Sequence, residues 1–178
     1  GIIGHGDAFV MRDPAGIRPA FYYADDEIVA VASERPALMT TFGVHYNDIK
    51  ELPRGNAIII KKNGDFKVSL CKDQLERKAC SFERIYFSRG NDQEIYQERK
   101  ELGKLLADKV LVAANYDFEH TVFSFIPNTA ETAYIGMVDE LHNICNRIKG
   151  EQIKAAALSG NITGDAIENI LKQNPRIE

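Results

Sequence analysis

The densest meeting of charge and turn-forming residues in this chain is Arg12-Asp13-Pro14-Ala15-Gly16-Ile17-Arg18-Pro19, two guanidinium groups around one carboxylate. Pro14 and Gly16 suit a tight turn, and an Asp between two Arg residues reads first as an ion pair that braces it. Thiol chemistry has three candidates, Cys71, Cys80 and Cys145. They form no C-x-x-C pair and leave one unpaired, which suits reduced thiols. Each reads as a buried small apolar residue. The four histidines, His5, His45, His120 and His142, stand too far apart for a spacing such as H-x-x-x-H, so no metal site is expected. Solvated or capping roles remain for them.

Those groups sit in a chain of 178 residues, 44% hydrophobic and 27% charged, enough for one domain or two small ones. A net charge of -4 and a pI near 5.6, with scattered basic residues, argue against a dedicated nucleic-acid binder. The longest apolar runs, 28–32 and 57–60, fall well short of the roughly 20 residues a membrane helix needs. The opening Gly1-Ile2-Ile3-Gly4-His5-Gly6-Asp7 does not read as a signal peptide, and the expected location is the cytoplasm.

The elements that must hold these residues change character along the chain. Up to residue 70 the pattern is that of an antiparallel sheet: short apolar runs at 8–11, 19–23 and 28–32, the latter two joined by a turn at Asp25-Asp26. Runs 57–60 and 66–70 flank Asn63-Gly64, which predicts a hairpin with a type I′ turn. Between the pairs Ser33 reads as the N-cap of a short helix with Pro36 in its first turn and Gly43 at its end. Residues 80–90 alternate without a purely apolar side, which fits a strand or extended connector.

Beyond that seam the spacing becomes helical. Asn91 with Glu94 reads as a capping arrangement for a helix whose face is Ile95, Leu102, Leu105, Leu106, Val110 and Ala113. Residues 120–126 read as a buried strand, and Pro127-Asn128-Thr129 turns it into a second helix from Ala130 to Ile148, with Asn128 or Thr129 as N-cap and Gly150 as terminator. The tail from residue 151 carries a loop at 159–163 and a helix at 166–172.

Several of these runs, in order, resemble the N-terminal-nucleophile (Ntn) glutamine amidotransferases. The R-D-x-x-G-x-R-P turn is one; Val31-Ala32-Ser33-Glu34 and Leu52-Pro53-Arg54-Gly55-Asn56-Ala57 are similar to stretches that come after it in that family. Cys80-Ser81-Phe82-Glu83-Arg84-Ile85-Tyr86-Phe87-Ser88-Arg89 resembles the connector of the glutamine phosphoribosylpyrophosphate amidotransferases, and Tyr96 to Gly103 resembles the opening of their phosphoribosyltransferase half. Gly90 replaces the family's Pro, and Pro127-Asn128-Thr129-Ala130-Glu131 departs from its P-D-S-G or P-E-T-S loop.

The resemblance implies an α+β chain: the C-terminal portion of an Ntn-hydrolase-type antiparallel β glutaminase domain over 1–79, a connector over 80–92, and the first α/β units of a phosphoribosyltransferase-type domain over 93–178, with a branch-specific insertion from 151. It gives Arg12, Asp13, Gly16 and Arg18 a supporting role behind the glutamine pocket and places Asn128 and Thr129 at a phosphoribosyl-site turn. The whole enzyme of such a family takes glutamine and phosphoribosylpyrophosphate and forms 5-phosphoribosylamine, the first step of purine synthesis. Mg²⁺ is expected to serve the leaving pyrophosphate there. Position 1 is Gly rather than the nucleophilic Cys, and Asp25-Asp26 lies in the wrong half for the phosphoribosylpyrophosphate loop. Ser159-Gly160-Asn161-Ile162-Thr163 likewise falls in the wrong place for the family's Asn-Gly oxyanion element. The expectation is therefore an internal piece lacking both catalytic centres, with no cofactor of its own, whose cut strand edges favour a homo-oligomer. An iron-sulfur cluster held through Cys80 is not expected, since it needs three further thiolates in a pattern that Cys71 and Cys145 do not supply. The alternatives are a non-catalytic binding or regulatory protein of this architecture, or a piece of another Ntn glutamine amidotransferase.

Overall fold

The computed structural model describes residues 1–88, 90–160 and 162–178; Arg89 of the expected connector and Asn161 of the 159–163 loop lie outside the described residues. The chain divides into two compact units, Gly1–Ile95 and Tyr96–Glu178.

In the first unit, β1 (Ala8–Met11), β2 (Phe21–Ala24), β3 (Val29–Ala32), β4 (Lys50–Glu51), β5 (Asn56–Ile60) and β6 (Phe66–Leu70) form two antiparallel three-stranded sheets ordered β1-β5-β6 and β3-β2-β4. The register sets Ala8 opposite Ile60 and Phe21 opposite Ala32. Leu38, Ile49, Leu52, Ala57 and Ile58 are buried here, and each fully buried large side chain such as Leu52 or Ile58 contributes about 1.5–3 kcal/mol. The β2–β3 turn is the expected one: Asp25 Oδ1 accepts from Glu27 N and Ile28 N, both at 2.8 Å.

The β5–β6 hairpin stands, but its turn is not type I′. Lys61 N donates to Asp65 O at 2.7 Å and Gly64 N to Lys61 O at 2.9 Å, so three residues separate the pair and only Gly64 has positive φ, +93°. That is a type I turn closed by a glycine bulge, in which Asn63 keeps negative φ and its side chain bridges to Asp65. Helix α1 (Arg35–Phe42) ends at Gly43 with φ 65° as expected, yet its N-cap is Glu34 rather than Ser33.

The seam is not extended. Residues 83–87 form a wide helical turn in which Ser88 N donates to Glu83 O at 3.0 Å. Among the described residues no strand pairs with this segment, and Ser88 N is satisfied within it by Glu83 O. Glu83 turns inward, and Phe82, Ile85, Tyr86 and Phe87 are exposed.

Helix α2 (Gln93–Ala113) is capped by Asp92, whose Oδ1 accepts from Glu94 N at 3.0 Å and Ile95 N at 3.2 Å, in place of Asn91. The second unit holds the rest of α2, β7 (Val122–Phe123), α3 (Glu131–Leu158), α4 (Gly164–Lys172) and β8 (Arg176–Ile177), with β7 and β8 parallel. Its core is Ala107, Leu111, Phe118, Phe123, Met137, Leu141, Ile144 and Cys145. The stripe of α2 buried in this unit is Arg99, Gly103, Ala107 and Leu111, whereas the expected Leu102, Leu105 and Leu106 are exposed. Spacing alone favoured the larger side chains; close backbone approach at Gly103 decides otherwise. A Cβ there would stand 1.7 Å from Ala133 O, and one on Gly136 1.9 Å from Lys100 O, so α2 and α3 cross with almost no side chain between them. Gly150 does not end α3, which runs on through Ala155-Ala156-Ala157 to Leu158. These alanines favour helix strongly enough to carry one glycine, which costs about 1 kcal/mol.

Candidate functional site

The turn after β1 is built by its own backbone. Asp13 Oδ1 accepts from Ala15 N at 3.0 Å and from Ile17 N at 3.2 Å, and Oδ2 accepts from Ile17 N at 3.0 Å. Burial of Asp13 opposes its ionisation, but the N–H groups of Ile17, Arg18, Ala15 and Gly16 outweigh it and hold the carboxyl below its ordinary range. Gly16 has φ +66°, and a Cβ there would lie 2.5 Å from Arg54 Cδ. The position admits glycine alone without strain.

The expected Asp-Arg brace is absent from this turn: each Arg pairs elsewhere. Arg12, 8% exposed, donates from Nη1 to Leu52 O at 2.6 Å and from Nε to Arg18 O at 3.1 Å, with Glu51 Oε1 2.7 Å from Nη1. Arg18 reaches residues 83–87: its Nε lies 2.5 Å from Glu83 Oε1, an ion pair without aligned hydrogen-bond geometry, and its guanidinium covers the Phe87 ring at 5.5 Å. Residues 71–80, which have no regular structure, are laid along the same turn. Leu75 N donates to Pro14 O, Lys78 N to Ala15 O and Cys80 N to Ile17 O at 2.9–3.1 Å, and Arg54 Nη1 donates to Leu75 O at 2.7 Å.

Arg12, Gly16, Arg35, Glu51, Cys80 and Glu83 line a cavity of about 90 Å³ in this unit. Arg35 is buried with its guanidinium 4.0 Å from the Tyr46 ring centroid and 4.7 Å from that of Phe21, beside Asp92 at 3.4 Å and Glu94 at 3.7 Å. Burial, then the 2.5 Å hydrogen bond to Glu94, pushes the Tyr46 hydroxyl up to about 12. Arg12, Asp13, Gly16 and Arg18 are thus brought together. Glu51 and Arg35 carried no signal in the sequence; Arg54 stood in the family-like run Leu52 to Ala57 and Glu83 was the one acid of the connector-like run Phe82-Glu83.

Asn128 and Thr129 lie in the second unit and are exposed. Asn128 O accepts from Glu131 N at 3.2 Å, but the N-cap of α3 is Ala130 and no side chain caps it. The three cysteines are free thiols; of the three only Cys145 is buried, while Cys71 is exposed, because it lies just past the outer strand β6, and Cys80 is half-buried. Burial pushes the Cys145 thiol up. Among the described residues no three His, Cys, Asp or Glu side chains gather as a metal site would require, and no helix is long and apolar enough to cross a membrane.

An α+β chain with these features has its likeness among glutamine amidotransferases. A structure of glutamine phosphoribosylpyrophosphate amidotransferase from Bacillus subtilis, complexed with ADP and GMP, superimposes with a TM-score of 0.62 at 30% identity, over 75% of this chain and 28% of that one. A second, described as the allosteric regulatory enzyme of purine biosynthesis, matches equally, with a TM-score of 0.62. In sequence the chain is a homologue of a segment of amidophosphoribosyltransferase. It is 32% identical to that of Archaeoglobus fulgidus over 133 residues, 72% of this chain and 27% of the relative. It is 31% identical to that of Bacillus subtilis over 159 residues, 84% of this chain and 31% of the relative. The chain therefore spans less than a third of the length of these relatives. No protein-family profile matches it.

Proposed function

We propose that this chain serves as the scaffold segment of an amidophosphoribosyltransferase, in which ammonia released from glutamine displaces pyrophosphate from phosphoribosylpyrophosphate to give 5-phosphoribosylamine. The carrying observation is the likeness in sequence and fold, 30% identity over 75% of the chain at a TM-score of 0.62. On this reading the first unit corresponds to the C-terminal part of an Ntn-type glutaminase and the second to the first α/β units of a phosphoribosyltransferase. The Arg12, Asp13, Gly16 and Arg18 turn supports the glutamine side by fixing β1, the 71–80 segment and Glu83 together. Asn128 and Thr129 mark the turn toward the phosphoribosyl side. Mg²⁺ would neutralise the leaving pyrophosphate in the whole enzyme; among the described residues no three His, Cys, Asp or Glu side chains gather to hold it.

The test uses the complete product of the gene that encodes this segment. Incubated with glutamine, phosphoribosylpyrophosphate and Mg²⁺, it is expected to release glutamate and pyrophosphate in equal amounts. Absence of both products from folded protein overturns the reading. The 178-residue chain alone is expected to form no glutamate.

A further inference from the structure

Helix α4 is fastened to its unit by a buried charge at its C-terminal end as well as by a few half-buried apolar side chains. None of its residues is buried; Ala166, Ile167 and Ile170 are half-buried. The sheltered contacts lie at its C-terminal end. Lys149 of α3, 8% exposed, donates from Nζ to Leu171 O at 3.2 Å and to Asn174 Oδ1 at 3.1 Å. Cys145, one turn earlier on α3, donates from Sγ to Gln173 O at 3.6 Å. A cation is favoured where helix carbonyls converge. Both acceptors of Lys149 are neutral, however, so the ammonium has left its hydration shell for a carbonyl and an amide, and dehydration offsets much of the gain. Freeing α4 would return the ammonium and those carbonyls to water.

The C-terminal residues beyond α4 are tied to the same event. Pro175 is buried, β8 pairs with β7, Glu178 N donates to Phe123 O at 3.0 Å, and the Tyr134 hydroxyl donates to Phe123 O at 2.6 Å and Glu178 O at 3.1 Å. We propose that Lys149 is the latch of a flap made of α4 and β8, which opens as a unit while the core of α2 and α3 stays folded. Opening removes from β7 its strand partner among the described residues, and so loosens the strand that leads into residues 127–129. The inference is independent of the proposed enzyme activity.

Native-state hydrogen exchange of the 178-residue chain in low urea tests it. Amides of residues 164–178 are expected to exchange through a shared opening with a weaker urea dependence than the core's, at least about tenfold faster than those of Leu111, Leu141 and Ile144. Lys149→Ala should speed exchange of 164–178 about tenfold further, and that of Leu141 and Ile144 by the same factor, because the contact is lost in the opened and in the unfolded chain alike. Equal rates and equal urea dependence for flap and core overturn the proposal, as does a variant whose flap exchange is unchanged. Where Lys149→Ala does not fold, Lys149→Met, which keeps the apolar stem and removes the ammonium, replaces it with the same expected outcome.

Discussion

Arg12 and Arg18 each meet a carboxylate distant in sequence, Glu51 and Glu83, while the Asp beside Arg12 meets only backbone N–H groups. The two kinds of contact respond differently to pH. Asp13 has its folded pKa depressed, so the stability it adds is complete above the unfolded value of about 3.9 and is lost as pH falls through the lower folded value. Asp13→Asn should therefore lower the urea midpoint near neutral pH, and the gap to the unsubstituted chain should close in acid. A gap that does not begin to narrow as the pH falls below about 3.9 would refute this account of Asp13. Gly16→Ala meets both a positive φ and Arg54, and a loss of about 1–3 kcal/mol is expected in chemical unfolding. Glu83→Gln should cost less, about 1 kcal/mol, because Arg18 is mostly exposed. Residue types marked this turn plainly; partners did not, because ion pairs across about 40 and about 65 positions leave no local pattern to read.

Two helical glycines and a third give opposite expectations from the same substitution. Gly103→Ala and Gly136→Ala drive a methyl into backbone of the facing helix and should each destabilise by about 3 kcal/mol or more, despite the better helix propensity of alanine. Gly150→Ala, in the interior of α3 with nothing within 4 Å of the added carbon, should stabilise by about 0.5–1 kcal/mol. Thermal unfolding of the three variants distinguishes crossing from propensity. These elements show what the sequence made visible. Period-two runs placed β1 at its observed bounds and found the other strands of both hairpins, since alternation and turn residues are local. Helical spacing found α2, α3 and α4. It placed Ile95 and Val110 of α2 on a packed side but misjudged Leu102, Leu105 and Leu106, since large apolar side chains outweigh a glycine in any count, and it misjudged residues 83–87, since an alternating polar and apolar run also fits a tight helical turn.

At the scale of the molecule, the chain is two compact units whose matched region fills less than a third of its relatives. In the second unit Leu102, Leu105, Leu106 and Ile126 are exposed, and the first exposes Met11 and Leu70 on strands. Sedimentation of the isolated chain should show association that rises with concentration. A single monomeric species throughout the accessible range would count against that expectation. The 71–80 segment has no regular structure and carries Arg77 and Lys78, both open to solvent, so by composition it is a ready substrate for trypsin. Its hydrogen bonds to Pro14, Ala15 and Ile17 hold it against the extended, movable form that a protease must bind. Cleavage at Arg77 and Lys78 thus becomes a reporter on a turn some sixty residues earlier: slow while Asp13 keeps the turn closed, and fast once that carboxylate is removed.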